Sequence, residues 1–595
     1  MMSTLKTLDI SAALWHEWAM AKRTGSVHVT TTRRHYKDRV YETTLLRRSY
    51  REGGKVRNET VGNLSHLPPE IITAIRAMLA GRSLVDPDEG FAIERSLPHG
   101  HVAAVLSVMR SLELERLLSR ERSRERDLAL AMICQLVVAP GSKLSLTHRF
   151  VQTTLARELS LGEVTEAELL AAMDWLLERQ GRIEAALAHR HLACGGFVLY
   201  DLSSSYLEGH CCPLAALGHS RDGKKGTLQV NWGLVCSPEG RPVSVEVHSG
   251  DTSDPETVGG VLARLRRRFG IERCVFIGDR AMITASHAEA IKQAGAGFIS
   301  ALKSVQVRAL ARAGDLQLSL FDETDLAEIS SEEFPGERLI VCRNPALAAE
   351  RARKREELLA ATEGELEKVV RMVEGKRGRL RGAPAGVIGE RVGRVVGRYK
   401  VAKHFALEIG DGAFTWKRKE EQIAAEAALD GIYVLRTTCS GEELTAQAVV
   451  RLYKQLKMAE RAYRTMKDAL EVRPIRHWKE DRVRAHFFLF MLTYHVLFEL
   501  QARLAPMLFT DDTPLAPADP VAAAQRSPAA AAKAGSARTP DGLPALSLAD
   551  LLSELGTLCR NELRIGMSKH TFARLTEPTA IQAKAFELLG VRLRA

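Results

Sequence analysis

The 595-residue chain contains no Cys-x-x-Cys pair, no Gly-x-x-x-x-Gly-Lys-Ser/Thr loop and no apolar run long enough to span a bilayer. Each absence removes a class of function. Nine cysteines, at 134, 194, 211, 212, 236, 274, 342, 439 and 559, form an odd and unpatterned set. That pattern points to reduced thiols in a cytosolic protein, not to a disulfide frame. His210-Cys211-Cys212 with His219 nearby outlines a zinc site on paper, but adjacent cysteines rarely ligate one tetrahedral metal together. Without a phosphate-cradling loop a nucleotide-dependent enzyme is disfavoured, and Gly223-Lys-Lys-Gly226 is only a basic turn. The N-terminus lacks the basic, apolar, small-residue series of a signal peptide. The most apolar run, 485–498, is shorter than the ~20 residues a membrane span needs and carries His486 and His495. It predicts a buried core helix. The expectation is a cytoplasmic, nucleoid-associated protein with no membrane partner.

What is present is a soluble composition, 45% hydrophobic and 26% charged, with a net charge of +11. The positive balance favours a polyanionic partner, nucleic acid before membrane. A chain of this length exceeds one core, and three or four domains are expected.

Along the chain, residues 27–62 alternate in short β-type runs broken at Gly53-Gly54, which predicts a small antiparallel sheet rich in Arg and Lys. Pro68-Pro69 opens a helix to about Ala80. Apolar stripes at helical spacing, such as Val102, Val105, Leu106 and Met109, predict four to six helices between about 101 and 192. At Phe197 the period changes. Phe197-Val-Leu-Tyr-Asp201 reads as a buried strand ending in an acid, and Arg273-Cys-Val-Phe-Ile-Gly-Asp279 as another. Between and after them the order is three strands, helix, strand, helix, strand, a mixed α/β layer architecture. Glu350–Val373 predicts a charged helical arm, 375–394 a Gly/Arg-rich basic loop, and 511–546 a flexible linker. The predicted division is an N-terminal β-rich and helical module (1–100) and a helical domain for DNA binding or dimerisation (101–195). A core in two parts (196–304 and 431–505) follows, interrupted by an insertion (305–430). A linker (506–546) and a C-terminal helical element (547–595) complete the chain.

The stretch 453–467 has no helix breaker, and Tyr453, Glu460 and Lys467 lie seven residues apart, on one face of the predicted helix. From Arg451 to Arg484 eleven Lys and Arg face five Asp and Glu, so Glu460 is an acid in a basic surface. A lone Asp after a strand is usually a turn or helix cap. Two strand-end aspartates with a helical glutamate are instead the parts of a two-metal site for phosphoryl transfer. Hard carboxylate oxygens suit Mg²⁺, and surrounding cations suit a DNA backbone.

These residues resemble a known family. Tyr200-Asp-Leu-Ser-Ser-Ser-Tyr-Leu-Glu-Gly209, Gly278-Asp-Arg-Ala-Met282 and Tyr453…Glu460…Lys467 are similar to the three acidic motifs of DDE transposases. They look most like bacterial insertion-sequence type four, subgroup sixteen-thirty-four. Leu456 stands where the broader family has Arg, so Arg464 or Lys457 is left to substitute for that contact. Gly218-His-Ser-Arg-Asp-Gly-Lys and Val472-Arg-Pro-Ile-Arg-His477 also look like the subgroup.

The resemblance implies a ribonuclease-H-like mixed-sheet core interrupted by a β-rich and helical insertion. It implies cut-and-paste transposition with two Mg²⁺ or Mn²⁺ ions held by Asp201, Asp279 and Glu460, and DNA partners at the terminal inverted repeats and the target. It also implies a homodimer on DNA, with Tyr453 and Lys467 touching DNA near the cleaved end. Some relatives use an insertion tryptophan to receive a flipped base, and Trp416 is the only one in the insertion. The other readings are a metal-dependent nuclease without strand transfer and an inactive DNA-binding relic or repressor.

Overall fold

Alternation of polar and apolar residues builds the first sheet as expected. Ser26–Tyr36 (β1), Arg39–Glu52 (β2) and Lys55–Asn63 (β3) pair antiparallel in that order. Gly53 and Gly54, at φ 59° and 78°, form the two-residue turn between paired Glu52 and Lys55, a conformation that suits glycine. Pro69 opens the helix Pro69–Leu79, which lies on β1 and ties to it through Arg76 Nη2 and Thr31 Oγ1 at 2.7 Å. Phe91–Pro98 (β4) joins Cys559–Ile565 and Thr571–Leu575 in a second three-stranded sheet. The C-terminal element, expected to be helical, therefore also supplies two strands, and its last helix is Ala580–Leu589.

The computed structural model describes residues 25–36, 39–82, 91–193, 196–321, 325–511, 519–522, 525–565 and 570–593. The extreme N-terminus and parts of the expected linker (512–518, 523–524) lie outside the described residues. The chain forms two compact units, Met1–Ser96 with Asn561–Arg574, and Leu97–Arg560 with Leu575–Ala595.

The second unit begins with the helical domain. Its main helices are Gly100–Ser111, Arg124–Val138, Glu166–Glu178 and Gln180–His191, with shorter ones between. Arg124–Val138 is buried over nearly its whole length, capped where Ser123 accepts from Arg126 N. Both it and Glu166–Glu178 pack on the long helix Glu480–Leu504, the apolar run of the sequence. Among the described residues only Glu480–Met507 is by itself long and apolar enough to cross a membrane, and most of that stretch is buried inside the protein.

The central feature is an eight-stranded mixed sheet. Its strands are Phe197–Tyr206 (β5), Gln229–Cys236 (β6), Pro242–Ser249 (β7), Val275–Ile277 (β8), Gly297–Ala301 (β9), Leu326–Ile329 (β10), Arg338–Arg343 (β11) and Ile432–Thr437. They lie in the order β10, β11, Ile432–Thr437, β9, β8, β5, β6, β7. Only β5 with β8 and β8 with β9 are parallel, and the helices Asp254–Arg267 and Ala285–Gln293 precede β8 and β9 as parallel connections require. Both β10 and β11, within the expected insertion, extend this sheet.

The rest of the insertion makes its own core. Helices Pro345–Glu374 and Ala385–Tyr399 and the hairpin of Phe405–Gly410 and Ala413–Arg418 enclose Leu359, Leu366, Val392, Phe405 and Phe414. The basic loop predicted over 375–394 is replaced from Ala385 onward by helix. Ile388, Val392, Val395 and Val396 recur at helical spacing and are buried, while Gly386, Gly393 and Gly397 face outward. Burial of that stripe outweighs the propensity cost of glycine, about 1 kcal/mol each. In the expected linker, the Ala-rich stretch Pro528–Ser536 forms a helix capped by Ser527, with Ala530 buried. Alanine is the best helix former, so this Ala-rich stretch is helical where a flexible linker was expected.

Candidate active site

Strand β5 does not end at Asp201 but runs on to Tyr206, paired throughout with β6. What ends near Asp201 is its parallel pairing with β8, whose last partners are Leu199 and Ile277. Asp201 stands two residues past Leu199, and Asp279 two residues past Ile277. Both aspartates thus leave the same edge of the parallel pair, where side chains from a sheet gather. The reason β5 continues is its antiparallel hairpin with β6, where Trp232 pairs with Ser203 and is fully buried.

The third carboxylate arrives on a helix. The predicted helix 453–467 is broken in two places. Ala446–Lys454 and Leu456–Arg464 meet at Gln455, and a wider π-turn, Thr465–Ala469, follows. Ala459, Ala462 and Tyr463 form the inward stripe, and Glu460 is exposed beside them. Tyr463 fixes this helix. Its hydroxyl donates to the Asp201 carbonyl and accepts from Leu234 N at 2.8 Å, and its ring meets Trp232 edge to face with centroids 4.7 Å apart. One helical turn separates Tyr463 from Glu460, so this bolt sets the height of Glu460 over Asp201. Tyr463 is visible in the sequence only as the large member of a small-residue stripe on a charged helix.

Asp201, Asp279 and Glu460 line one cleft of about 720 Å³. Burial pushes the Asp201 carboxyl up to about 7, helped by the charges of Asp279 and Glu460 and opposed by the Leu202 N–H at 2.8 Å and by Arg221. Burial raises the Tyr453 phenol as well, with Asp279, Glu460 and Asp201 adding to the shift. These mutual effects place Tyr453 and the three acids in one electrostatic neighbourhood. Arg221, Arg280, Lys454 and Lys457 supply positive charge in the same cleft. Arg221 pairs with Asp254, and Lys454 donates to the Val521 and Ala522 carbonyls at 2.9 and 2.8 Å. Leu456 lines the cleft too, and of its two suggested substitutes Lys457 is there while exposed Arg464 is not among the lining residues.

Lys467 turns elsewhere. The π-turn brings its ammonium to Asp222 at 2.8 Å, where Arg473 also donates. Burial lowers the Lys467 ammonium, and Asp222 opposes that shift. Asp222 further accepts from Tyr206 N at 3.2 Å, so the Gly218–Lys224 segment is held against β5. Trp416 packs within the insertion's own core, edge to face with Phe405 at 5.7 Å, and is not among the residues lining the cleft.

The donor set suits hard divalent cations: three carboxylates open to one cleft, and one of them, half-buried Asp201, has no ion-pair partner among the described residues. Among the described residues no group of three His, Cys, Asp or Glu is already drawn together as a metal cage. The His210-Cys211-Cys212 segment with His219 forms no such group either.

Comparison with known proteins adds an independent finding. A family model described as "Transposase DDE domain" matches residues 205–495, a span that holds Asp279 and Glu460 and starts four residues after Asp201. A second, described as "IS1634 family transposase, N-terminal domain", matches residues 29–88. No curated protein matches the chain. The strand-edge aspartates, the helical glutamate in the same cleft and the two matches agree, and the chain belongs to the DDE transposases, within the IS1634 family.

Proposed function

We propose that the protein cuts DNA at the ends of an insertion sequence and joins the freed 3′-hydroxyl to target DNA. The observation that carries this reading is the convergence of Asp201, Asp279 and Glu460 on one cation-rimmed cleft, where burial and the neighbouring acids push the Asp201 carboxyl up to about 7. The strand order β7, β6, β5, β8, β9, with the last three parallel, supports a ribonuclease-H-like core. Two divalent ions, Mg²⁺ or Mn²⁺, bound by the three carboxylates would activate the attacking oxygen and stabilise the leaving one.

The protein's own groups do the rest. Tyr463 keeps the glutamate helix in register with Asp201. Arg280 and Lys457 meet the phosphates that flank the reacting one, and Tyr453 lies beside the carboxylates against the DNA end. Exposed Arg464 extends the basic face of the same helix toward the duplex. Lys467 holds the Gly218–Lys224 segment through Asp222 and so shapes the wall of the cleft. Two copies on paired ends complete the reaction, since both ends must be cut and joined together.

The test is on DNA. Purified protein is incubated with labelled DNA from the flanks of its own gene, with Mg²⁺ and with EDTA. Metal-dependent nicks at one defined flank position, followed by joined products, are expected. Nicks without joining would leave a nuclease, and binding without cleavage in any metal would leave an inactive DNA-binding relic.

A further inference from the structure

The catalytic cleft continues past the carboxylates. A second groove of about 610 Å³ adjoins it, and Arg280 and Tyr433 line both. One wall is the segment after β9 with Ser304 and Arg308, and the other is the long insertion helix with Arg351, Lys354 and Arg355. Lys400 and Lys403, just past helix Ala385–Tyr399, close the far side.

The charge in this groove is unbalanced. Its acids, Glu426 and Asp430, are already paired with Lys403 and Arg355. Lys354 pairs with Glu350 on its own helix. Arg280, Arg308, Arg351 and Lys400 are left without a carboxylate partner among the described residues, and Arg308 Nε donates only to the Ser304 carbonyl at 3.2 Å. Like charges gathered along one concave wall repel one another, and a polyanion in the groove relieves that repulsion. Lys400 adds a second observation. It caps its helix at φ 56°, ψ 28°, a left-handed conformation that glycine or asparagine adopts more easily. A lysine at that position lines the groove in spite of the backbone strain.

We infer that this groove holds the phosphates of a DNA strand leading away from the scissile position, between the core sheet and the insertion helix. Guanidinium forks on Arg280, Arg308 and Arg351 match phosphate oxygens, and Lys400 acts as a point charge. A groove of this volume takes a short stretch of single strand, not a duplex. The inference rests on the proposed function, because it takes the carboxylates as the place where the strand is cut.

The test uses the full chain and its Arg351→Ala/Lys400→Ala double variant, both positions being exposed. Binding is measured over a salt series to flank duplex DNA, blunt or carrying a short single-stranded oligo(dT) tail past the nick position. Wild type should show a steeper salt dependence on tailed than on blunt DNA. The double variant should lose about half of that excess, flattening the log–log slope by about 0.7 per single-strand phosphate contact, about 1.4 for the two removed, with its blunt-DNA slope unchanged. An unchanged slope on tailed DNA, or equal flattening on both, overturns the groove. Metal-dependent nicking by wild type, scored separately, reports on the proposed function. Nicking with an unchanged slope removes the groove alone, and slope loss without nicking in any metal keeps the groove and removes the chemistry.

Discussion

Asp201 and Asp222 are both taken out of water, and they end in opposite electrostatic states. The Asp222 side chain is 1% exposed, and two cations answer it, Lys467 at 2.8 Å and Arg473, with the Tyr206 N–H as a third donor. Asp201 accepts one side-chain hydrogen bond, from Leu202 N, and faces two further carboxylates. A buried charge that is fully paired is part of the scaffold, whereas one left short of positive charge marks a place where a ligand must supply it. The difference separates a residue that holds the loop from one that does the chemistry, although both sit on or beside the same strand.

The largest effect that would break this contrast is on cleavage. Asp201→Asn, Asp279→Asn and Glu460→Gln should each lower the nicking rate by ~10²–10³-fold or more, the scale for losing one preorganised electrostatic group, while binding to flank DNA persists. Gel assays of both quantities on the same preparations decide it. An Asp201→Asn enzyme that still cuts near the wild-type rate would end the comparison.

Next in size is the scaffold side. Asp222→Asn strands Lys467, whose side chain is only 9% exposed, and leaves Arg473 to answer a neutral amide. Removing one partner of a buried ion pair typically costs ~3–5 kcal/mol. Chemical denaturation should show that loss at pH 7. A cost within ordinary surface scatter would mean the three groups are not a structural unit.

How much of this contrast was legible in the sequence depends on what signal each residue left. Asp201 and Asp279 could be found because each follows a short apolar run, and strand register did the rest by placing both two residues beyond paired Leu199 and Ile277. Asp222 lies in the Gly218–Lys224 segment that resembles the subgroup, but its pairing left no local sign, since its partners lie 245 and 251 residues away. Tyr463 was equally hidden: its partners are a backbone carbonyl and an N–H on two strands far back in the chain. The small N-terminal sheet was legible from its alternation and its Gly-Gly turn. The insertion was read less well because the Gly/Arg composition of 385–399 masks a valine stripe, and because nothing local shows that β10 and β11 join the main sheet. Local periodicity is written in the sequence, and long-range pairing is not.

A smaller effect sharpens the contrast by its sign. The Asp201 carboxyl sits higher in the folded chain, at about 7, than in the unfolded one. Between those values the folded state binds more protons, so this group's contribution to stability falls as pH rises. The resulting penalty is absent at acid pH and fully present above about 7. Metal-free Asp201→Asn should therefore be more stable than wild type at pH 8, by at most about 4 kcal/mol, and the gap should close as pH is lowered. Saturating Mg²⁺ should raise the melting temperature of wild type at pH 8 and that of the variant much less, by binding linkage. Asp222→Asn should show no such gain at any pH. A variant that is less stable than wild type at pH 8 would mean that Asp201 is compensated after all.

The smallest effect concerns Lys467, where resemblance and geometry diverge. A lysine at this point of the third motif is implied to touch DNA near the cleaved end, yet here its ammonium is buried against Asp222. If that pairing persists on DNA, Lys467→Ala should lower stability and leave the salt dependence of duplex binding unchanged. Exposed Arg464→Ala should do the reverse, flattening the log–log slope by about 0.9 for one lost phosphate contact with the fold intact. Salt titrations of the two variants on one duplex separate the cases. A flattened slope for Lys467→Ala would show that a phosphate displaces Asp222 from the lysine. Asp222 would then be only provisionally paired, released when DNA arrives, and the line between the two aspartates would fall between free and DNA-bound protein instead of between scaffold and site.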